Sequence, residues 1–483
     1  MLRYRKPFYL ATMLLLLACR AFLWFLPASA TNLSNVNLMA ALETTSSRFL
    51  SGEWGKCKTR VTLPDIASSS WLALGALAQL DCPAALRQTE DAKGRALTDV
   101  ETFWLGYALE QSGRHTQALE TWRSYPAIGR YFMFLAEYNA AGANTEAVER
   151  FTRLAVEIEP QNWPLQLERG RLLRGSDPTR IPHDLEERIR QEIHNLWTVV
   201  PAWQWGRPSF EGGMRERVLW KLNNHNVERS YYRGIIDEEL FVMAIAADLA
   251  HTDSVLRREP DPVLADVLDI ARIVFQSELV YGQDGGWILQ PGVWRDHPDY
   301  TYSGYTQLAL DLVPKPVLNI APDSSHSHRM PLWLLSLAHA YPNDDERHVF
   351  YQVLLDGLRI QFLDHVLVPP SSEVPFPRLT NFMDGWNGVY RYNYQTVGEN
   401  LGYGPYQLSG ILLESWWIFL GTDDLRYLYA EMSRQFPLRQ DELDLYVGPN
   451  TTRERHPLVT WPDYFTNGFA ELYTLAASRL QGW

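Results

Sequence analysis

The sequence predicts an all-α protein, a short helical solenoid followed by an incomplete α/α toroid of helical hairpins. Apolar residues recur at helical spacing along successive stretches, the region from Trp71 to Pro160 repeats itself, and no segment alternates convincingly as a strand over six residues. The chain has 483 residues, enough for two or three domains. Hydrophobic residues make 46% and charged residues 21%, which excludes a disordered, collagenous or polytopic membrane chain. A net charge of −13 argues against nucleic-acid binding. Aromatic residues reach 13%, and such an excess serves either large helical cores or clefts that stack flat ligands, sugars among them.

The first element is an export signal or anchor over residues 1–30. Arg3, Arg5 and Lys6 precede an apolar stretch from Phe8 to Cys19, and Ala28-Ser29-Ala30 supplies a small-residue cleavage site. An uncleaved membrane anchor is the alternative, since residues 8–30 are long enough to cross a bilayer; Arg20 near the middle would then cost about 2.5–3.5 kcal/mol. Leu16-Leu17-Ala18-Cys19 faintly resembles a lipobox, with the wrong residues after the cysteine. Each reading places the body outside the cytoplasm, secreted or anchored, and cleavage would take the net charge from −13 to −17. After a linker over 31–64, Cys57 and Cys82 form a candidate disulfide, with two unpaired buried thiols as the alternative. A bridge would stabilise by about 3–4 kcal/mol on the chain-entropy model. Neither a zinc spacing nor another metal motif appears, and no cofactor is expected. Asn32-Leu33-Ser34 and Asn450-Thr451-Thr452 are sequons short enough to occur by chance.

Residues 65–178 carry the repeats. Trp71, Leu74 and Gly75 open one unit; Leu105-Gly106 follow 31 residues later, with Gly113, Ala118 and Trp122; a third unit reads Gly142, Ala147, Phe151 and Pro160. Gly113-Ala118-Trp122 and Gly142-Ala147-Phe151 share the same spacings, although Pro126 cuts one unit short and the last offset is 29. These residues resemble tetratricopeptide repeats, in which a small residue lets two helices approach and an aromatic fills the next groove. The resemblance implies a concave surface for a protein partner, or equally a packing face for the domain that follows.

Residues 179–483 read as αα-hairpins. Leu240, Met243, Ala244 and Ala247 make one face, and Leu264, Val267, Leu268, Ala271 and Phe275 the next, after Pro262 in a first turn. Further helices are expected over 331–341, 346–365, 406–420, 424–436 and 463–480. The intervening segments are chemically dense. Residues 284–302 contain Trp287, Trp294, Asp296, His297 and Tyr302; residues 322–331 contain Asp323, His326, His328 and Arg329; residues 384–406 contain Asp384, Trp386, Asn387, Tyr392, Asn393, Tyr394, Glu399, Tyr403 and Tyr406. Tyr, Trp, Asn and Arg together can stack a sugar face and bond its hydroxyls. Packed tyrosines and a capping Asp323 are the structural alternatives, and Asn223-Asn224-His225-Asn226 is a weaker candidate for the same cleft.

From about residue 195 onward, the hairpins with Asp/His/Arg and Tyr/Asn-rich loops resemble the α/α-toroid domains of polysaccharide lyases and glucuronyl epimerases. That resemblance implies a polysaccharide or oligosaccharide substrate. Uronate elimination or epimerisation needs a group to neutralise the acid, a base, and a group on the opposite side of the carbon. The expected assignment is Arg329 with His326 or Asn393 on the carboxylate, His328 as base, and Tyr392 or Tyr394 opposite. Net negative charge requires a locally favourable cleft. Hydrolysis is the alternative, with Asp384, Glu399, Asp296 or Asp323 as acid and base, and a non-catalytic envelope scaffold or glycan-binding protein is the third reading.

Overall fold

The structure is a computed structural model, and it describes residues 99–141, 144–160, 162–176, 183–396, 398–449, 462–466 and 468–479. The expected export segment and linker, Trp71-Leu74-Gly75, the Cys57–Cys82 pair, Gly142 and both sequons lie outside the described residues. Of the described residues, 58% are helical and 5% are strand, so the chain is mostly helical as expected.

The N-terminal helices pair as hairpins. Helix α1 (Asp99–Gln111) turns at Gly113, whose φ of +76° favours glycine, into α2 (His115–Trp122). Ala118 and Trp122 are fully buried on α2, and the indole N–H donates to the Phe103 carbonyl at 3.0 Å, which seats the ring directly over Gly106. Pro126 opens α3 (Pro126–Ala141) after only eight residues of α2. The Asn144 side chain then caps α4 (Thr145–Ile158) by accepting from the Ala147 N–H, and Phe151 of α4 stacks on Phe132 of α3 at 6.0 Å.

Helices α5 (Trp163–Ser176), α6 (His183–Thr198) and α7 (Gly213–Asn223) lead to the pair α8 (Asp237–Val255) and α9 (Pro262–Ser277). The apolar faces read from the sequence, Leu240 to Ala247 and Leu264 to Phe275, are buried, and Asp261 caps α9 just before Pro262. Arg190 of α6 ties these helices together through Asp253 at 2.7 Å and Asp261 at 3.1 Å.

The remaining elements hold the dense segments. Strands β1 (Leu279–Tyr281) and β2 (Trp287–Leu289) form an antiparallel pair, as do β3 (Leu367–Val368) and β4 (Arg378–Leu379); at two or three residues each they are too short for alternation to be read. Between the pairs lie the short α10 (Ser324–Ser327), α11 (Met330–His339) and α12 (Glu346–Gln361), which continues as a π turn to Val366. The helix expected over 406–420 is instead two 3₁₀ turns, Ser409–Glu414 and Trp416–Leu420, broken at Ser415 with φ +66°. Ser409 explains part of this: its hydroxyl is taken by the Leu379 N–H and the Tyr406 carbonyl, local bonds that compete with an α-helical ladder. Trp417 stacks on Phe362 at 4.1 Å and fixes the second turn.

Helices α13 (Asp423–Ser433), α14 (Gln440–Val447) and α15 (Phe469–Ser478) end the described chain. Helix α15 returns to the N-terminal hairpins: Phe469 meets Tyr131 at 5.8 Å, Tyr473 meets Phe134 at 4.4 Å, and the Tyr138 hydroxyl donates to the Arg479 carbonyl at 2.7 Å. The apolar face of the N-terminal hairpins is thus covered from within the chain. Among the described residues no helix is long and apolar enough to cross a membrane.

A methyl group at Gly106 would overlap the buried Trp122 indole, which has nowhere to move. Gly106→Ala is therefore expected to destabilise by about 1–3 kcal/mol despite its better helix propensity, measured by chemical denaturation.

Candidate functional site

Backbone bonds bring the three dense segments together. The Ser324 N–H donates to the Asn381 carbonyl and the Met383 N–H to that of Pro322, which straps residues 322–324 to 381–383. The Arg391 N–H donates to the Asp299 carbonyl and the Val389 N–H to that of Tyr305, which joins 389–391 to 299–305. Where they meet, a cavity of about 440 Å³ opens, within the roughly 300–1,000 Å³ of ordinary ligand sites. Its walls are aromatic, with Trp205, Trp287, Trp294, Tyr300, Trp333 and Tyr390.

The polar centre is Asp323, 2% exposed at the start of α10. Its carboxylate accepts from the Ser325 and His326 backbone N–H groups, the Ser325 hydroxyl, the His326 ring and, at 2.7 Å, the Tyr300 hydroxyl. Burial alone would raise this carboxyl, but the His326 charge and these donors hold it well below the usual carboxylate range. The Asp323 charge in turn raises His326, against an opposing effect of burial. His326 Nδ1 lies 2.9 Å from Asp323, while its Nε2 makes no hydrogen bond among the described residues; the side chain, 44% exposed, forms part of the cavity wall.

Around this pair stand His297, Tyr390 and Arg391. His297 Nδ1 accepts from the Asp299 N–H at 3.2 Å, so the neutral ring carries its proton on Nε2; burial lowers its pKa. Burial also raises Tyr390 well above its ordinary value, which keeps its hydroxyl protonated, and that hydroxyl makes no hydrogen bond among the described residues. Arg391 pairs with Asp299 at 2.9 Å from a backbone at φ +52°, a left-handed conformation uncommon for a side-chain-bearing residue.

Of the residues singled out from sequence, the cavity lining includes Trp287, Trp294, His297, Asp323 and His326. The others lie outside that lining. His328 is buried, with Nδ1 on the Ser325 carbonyl and Nε2 3.5 Å from Glu414, and Arg329 pairs with Asp237. Asp296 accepts from the Ser230 N–H and hydroxyl. Asp384, raised by burial, accepts from the Trp386 and Ala321 N–H groups; Glu399 is exposed. Tyr392 donates to the Ala309 carbonyl at 2.8 Å and packs against Tyr302, while Tyr394 lies beneath Arg391 at 4.7 Å. Trp386 donates to the Ser303 carbonyl; Asn387 accepts from the Asn381 and Tyr406 N–H groups; Asn393 accepts from Asn400. Tyr403 exchanges backbone bonds with Tyr390, and Tyr406 lies under Arg378 at 4.4 Å. Asn223 and Asn224 bond carbonyls of their own helix.

The wall residues that sequence reasoning missed divide in two. Asp299, Tyr300, Tyr390 and Arg391 lie inside the dense segments but were not selected within them. Trp205, Asp237, Glu238 and Trp333 carry no local signal, and Trp333 reads as core in an apolar helix. Each lining carboxylate has a cationic partner: Asp237 with Arg329, Glu238 with Arg217, Asp299 with Arg391 and Asp323 with His326. Compared with known proteins, the chain matches no family model, no curated protein and no solved structure.

Asp323→Asn removes the anion that raises His326, so the ring's pKa is expected to fall, read by NMR titration. The depressed carboxylate stabilises the fold above its ordinary pKa near 3.8, and that contribution is lost as pH falls below it; the raised imidazole stabilises below its ordinary 6.5, lost as pH rises through the raised value. The stability advantage of the native protein over Asp323→Asn is therefore expected to be largest between those limits.

Proposed function

We propose that this is an exported carbohydrate-active enzyme whose cavity takes a uronate-containing polysaccharide and moves the proton beside its carboxylate, as a lyase or epimerase. One observation carries the reading: His326 lines an aromatic cavity with no hydrogen bond on Nε2 among the described residues, while the buried Asp323 holds its Nδ1. An imidazole locked on one side by a carboxylate and open on the other is built to accept a proton. The base role thus moves from His328, turned toward Glu414, to His326.

Arg391 and the His297 N–H supply wall donors for an acid group. Tyr390, protonated and without a hydrogen bond among the described residues, is the candidate to deliver a proton to the leaving oxygen or to the opposite face. In elimination, His326 takes the proton, the electron pair forms the double bond, and the glycosidic oxygen leaves as an alcohol with the proton from Tyr390. In epimerisation, Tyr390 returns a proton to the opposite face instead. The pairing of each lining acid with a cation lowers the repulsion that a negative chain would otherwise offer a polyanion. It also disfavours hydrolysis, which needs a carboxylic acid in the wall to protonate the leaving group. The hairpin series, in which α15 meets α3, supports reading the domain as an incomplete α/α toroid preceded by tetratricopeptide-like repeats that serve as intrachain packing.

Incubation with a panel of uronate and neutral polysaccharides is expected to give oligosaccharides lacking water, or solvent deuterium in intact polymer; water-added products would defeat the reading. His326→Ala is expected to lower kcat by roughly 10²–10⁴. Because His326 must be deprotonated to act, kcat is expected to rise with pH along a limb set by its raised pKa, and Asp323→Asn to move that limb to lower pH.

A further inference from the structure

The aromatic wall continues beyond the cavity. Trp205, in the wall, lies 6.2 Å from His297 and 6.3 Å from Trp294, and meets Trp203 edge-on at 5.1 Å. Trp203 is 56% exposed. Its loop is nevertheless firmly held. Ala202 and Phe210 exchange both backbone hydrogen bonds, at 2.9 and 2.8 Å; Gln204 donates to the Tyr232 carbonyl; and Arg217 donates to the carbonyl of Trp203 itself at 2.9 Å. Gly206, at φ +69°, lies so close to the Tyr232 ring that a side chain there would overlap it. The fold fixes this backbone while leaving the largest apolar side chain in water.

We propose that Trp203 is a stacking subsite for the part of the carbohydrate chain that leaves the cavity, so that the protein recognises an oligosaccharide segment rather than a single sugar. This rests on the reading that the cavity takes carbohydrate. A polymer engaged in a cavity of about 440 Å³ must emerge from it, and the series from Trp294 through Trp205 to Trp203 gives one continuous apolar route out. An indole suits the C–H face of a pyranose, and a pinned loop spares the ordering cost that a mobile one would add.

The test is calorimetric binding to the full chain, native, Trp203→Ala and Trp203→Phe, of di-, tetra- and octasaccharide ladders of galacturonate, mannuronate and glucose. On the ladder that binds, Trp203→Ala is expected to weaken the octasaccharide roughly tenfold, leave the disaccharide unchanged, and be largely rescued by Trp203→Phe. Equal loss at every length, no loss at the octasaccharide, or no binding of any ladder would overturn the subsite. A length-dependent loss without water-less products or deuterium exchange keeps the subsite and removes the lyase or epimerase reading. Such products with a length-independent Trp203→Ala do the reverse.

Discussion

The Asp323 carboxylate organises the site because it is a charge almost out of water, and such a charge must be surrounded by donors to persist. Two of those donors are backbone N–H groups of α10, which fixes where that turn begins; a third is the Tyr300 hydroxyl, which fixes the loop carrying His297 and Asp299. A fourth is the Ser325 hydroxyl and the fifth is the His326 ring. One buried oxygen pair therefore sets the position of a turn, of a neighbouring loop and of the group proposed as base, and the 381–383 strap holds residues 322–324 behind it. Capping and the proposed chemistry, posed as alternatives for Asp323, draw on the same set of bonds.

The charges around the cavity follow a related logic. Four wall carboxylates in an aromatic enclosure would repel one another and any anionic ligand, yet each is held by a cation. Arg217 reaches Glu238 in the wall and the fully buried Glu239 behind it, so one guanidinium couples the cavity to the core. Arg329 similarly joins the start of α11 to the first turn of α8 through Asp237, a tie between elements that shape the cavity.

Helices with apolar residues at helical spacing were legible in the sequence. The faces Leu240 to Ala247 and Leu264 to Phe275, the Pro262 start and the Gly113-Ala118-Trp122 packing all follow from spacing and local propensity. The region 406–420 was not, because its apolar residues suit a helix while Ser409 and the Trp417–Phe362 stack draw the backbone into 3₁₀ turns. The dense segments were visible as composition, and they do converge. Which side chain faces inward was not visible, because adjacent residues of an irregular loop can face opposite ways: His326 faces the cavity and His328 faces Glu414, two positions apart in one turn. Trp205, Asp237 and Trp333 reach the cavity only through tertiary packing, which no local pattern encodes.

Arg391 shows how such a loop is made to face one way. Its left-handed backbone costs on the order of 1 kcal/mol for a residue with a Cβ, and Asn393 and Asn400 repeat that conformation nearby. The cost is offset on both sides: the Arg391 N–H and Nε both bond Asp299, and Tyr390 exchanges two backbone bonds with Tyr403. In an extended conformation residue 391 would carry its guanidinium away from Asp299, and a wall carboxylate would lose its cation. The strained residue is thus the one whose side chain the cavity's charge balance requires, and the loop's glycines and asparagines are what allow the chain to hold it there.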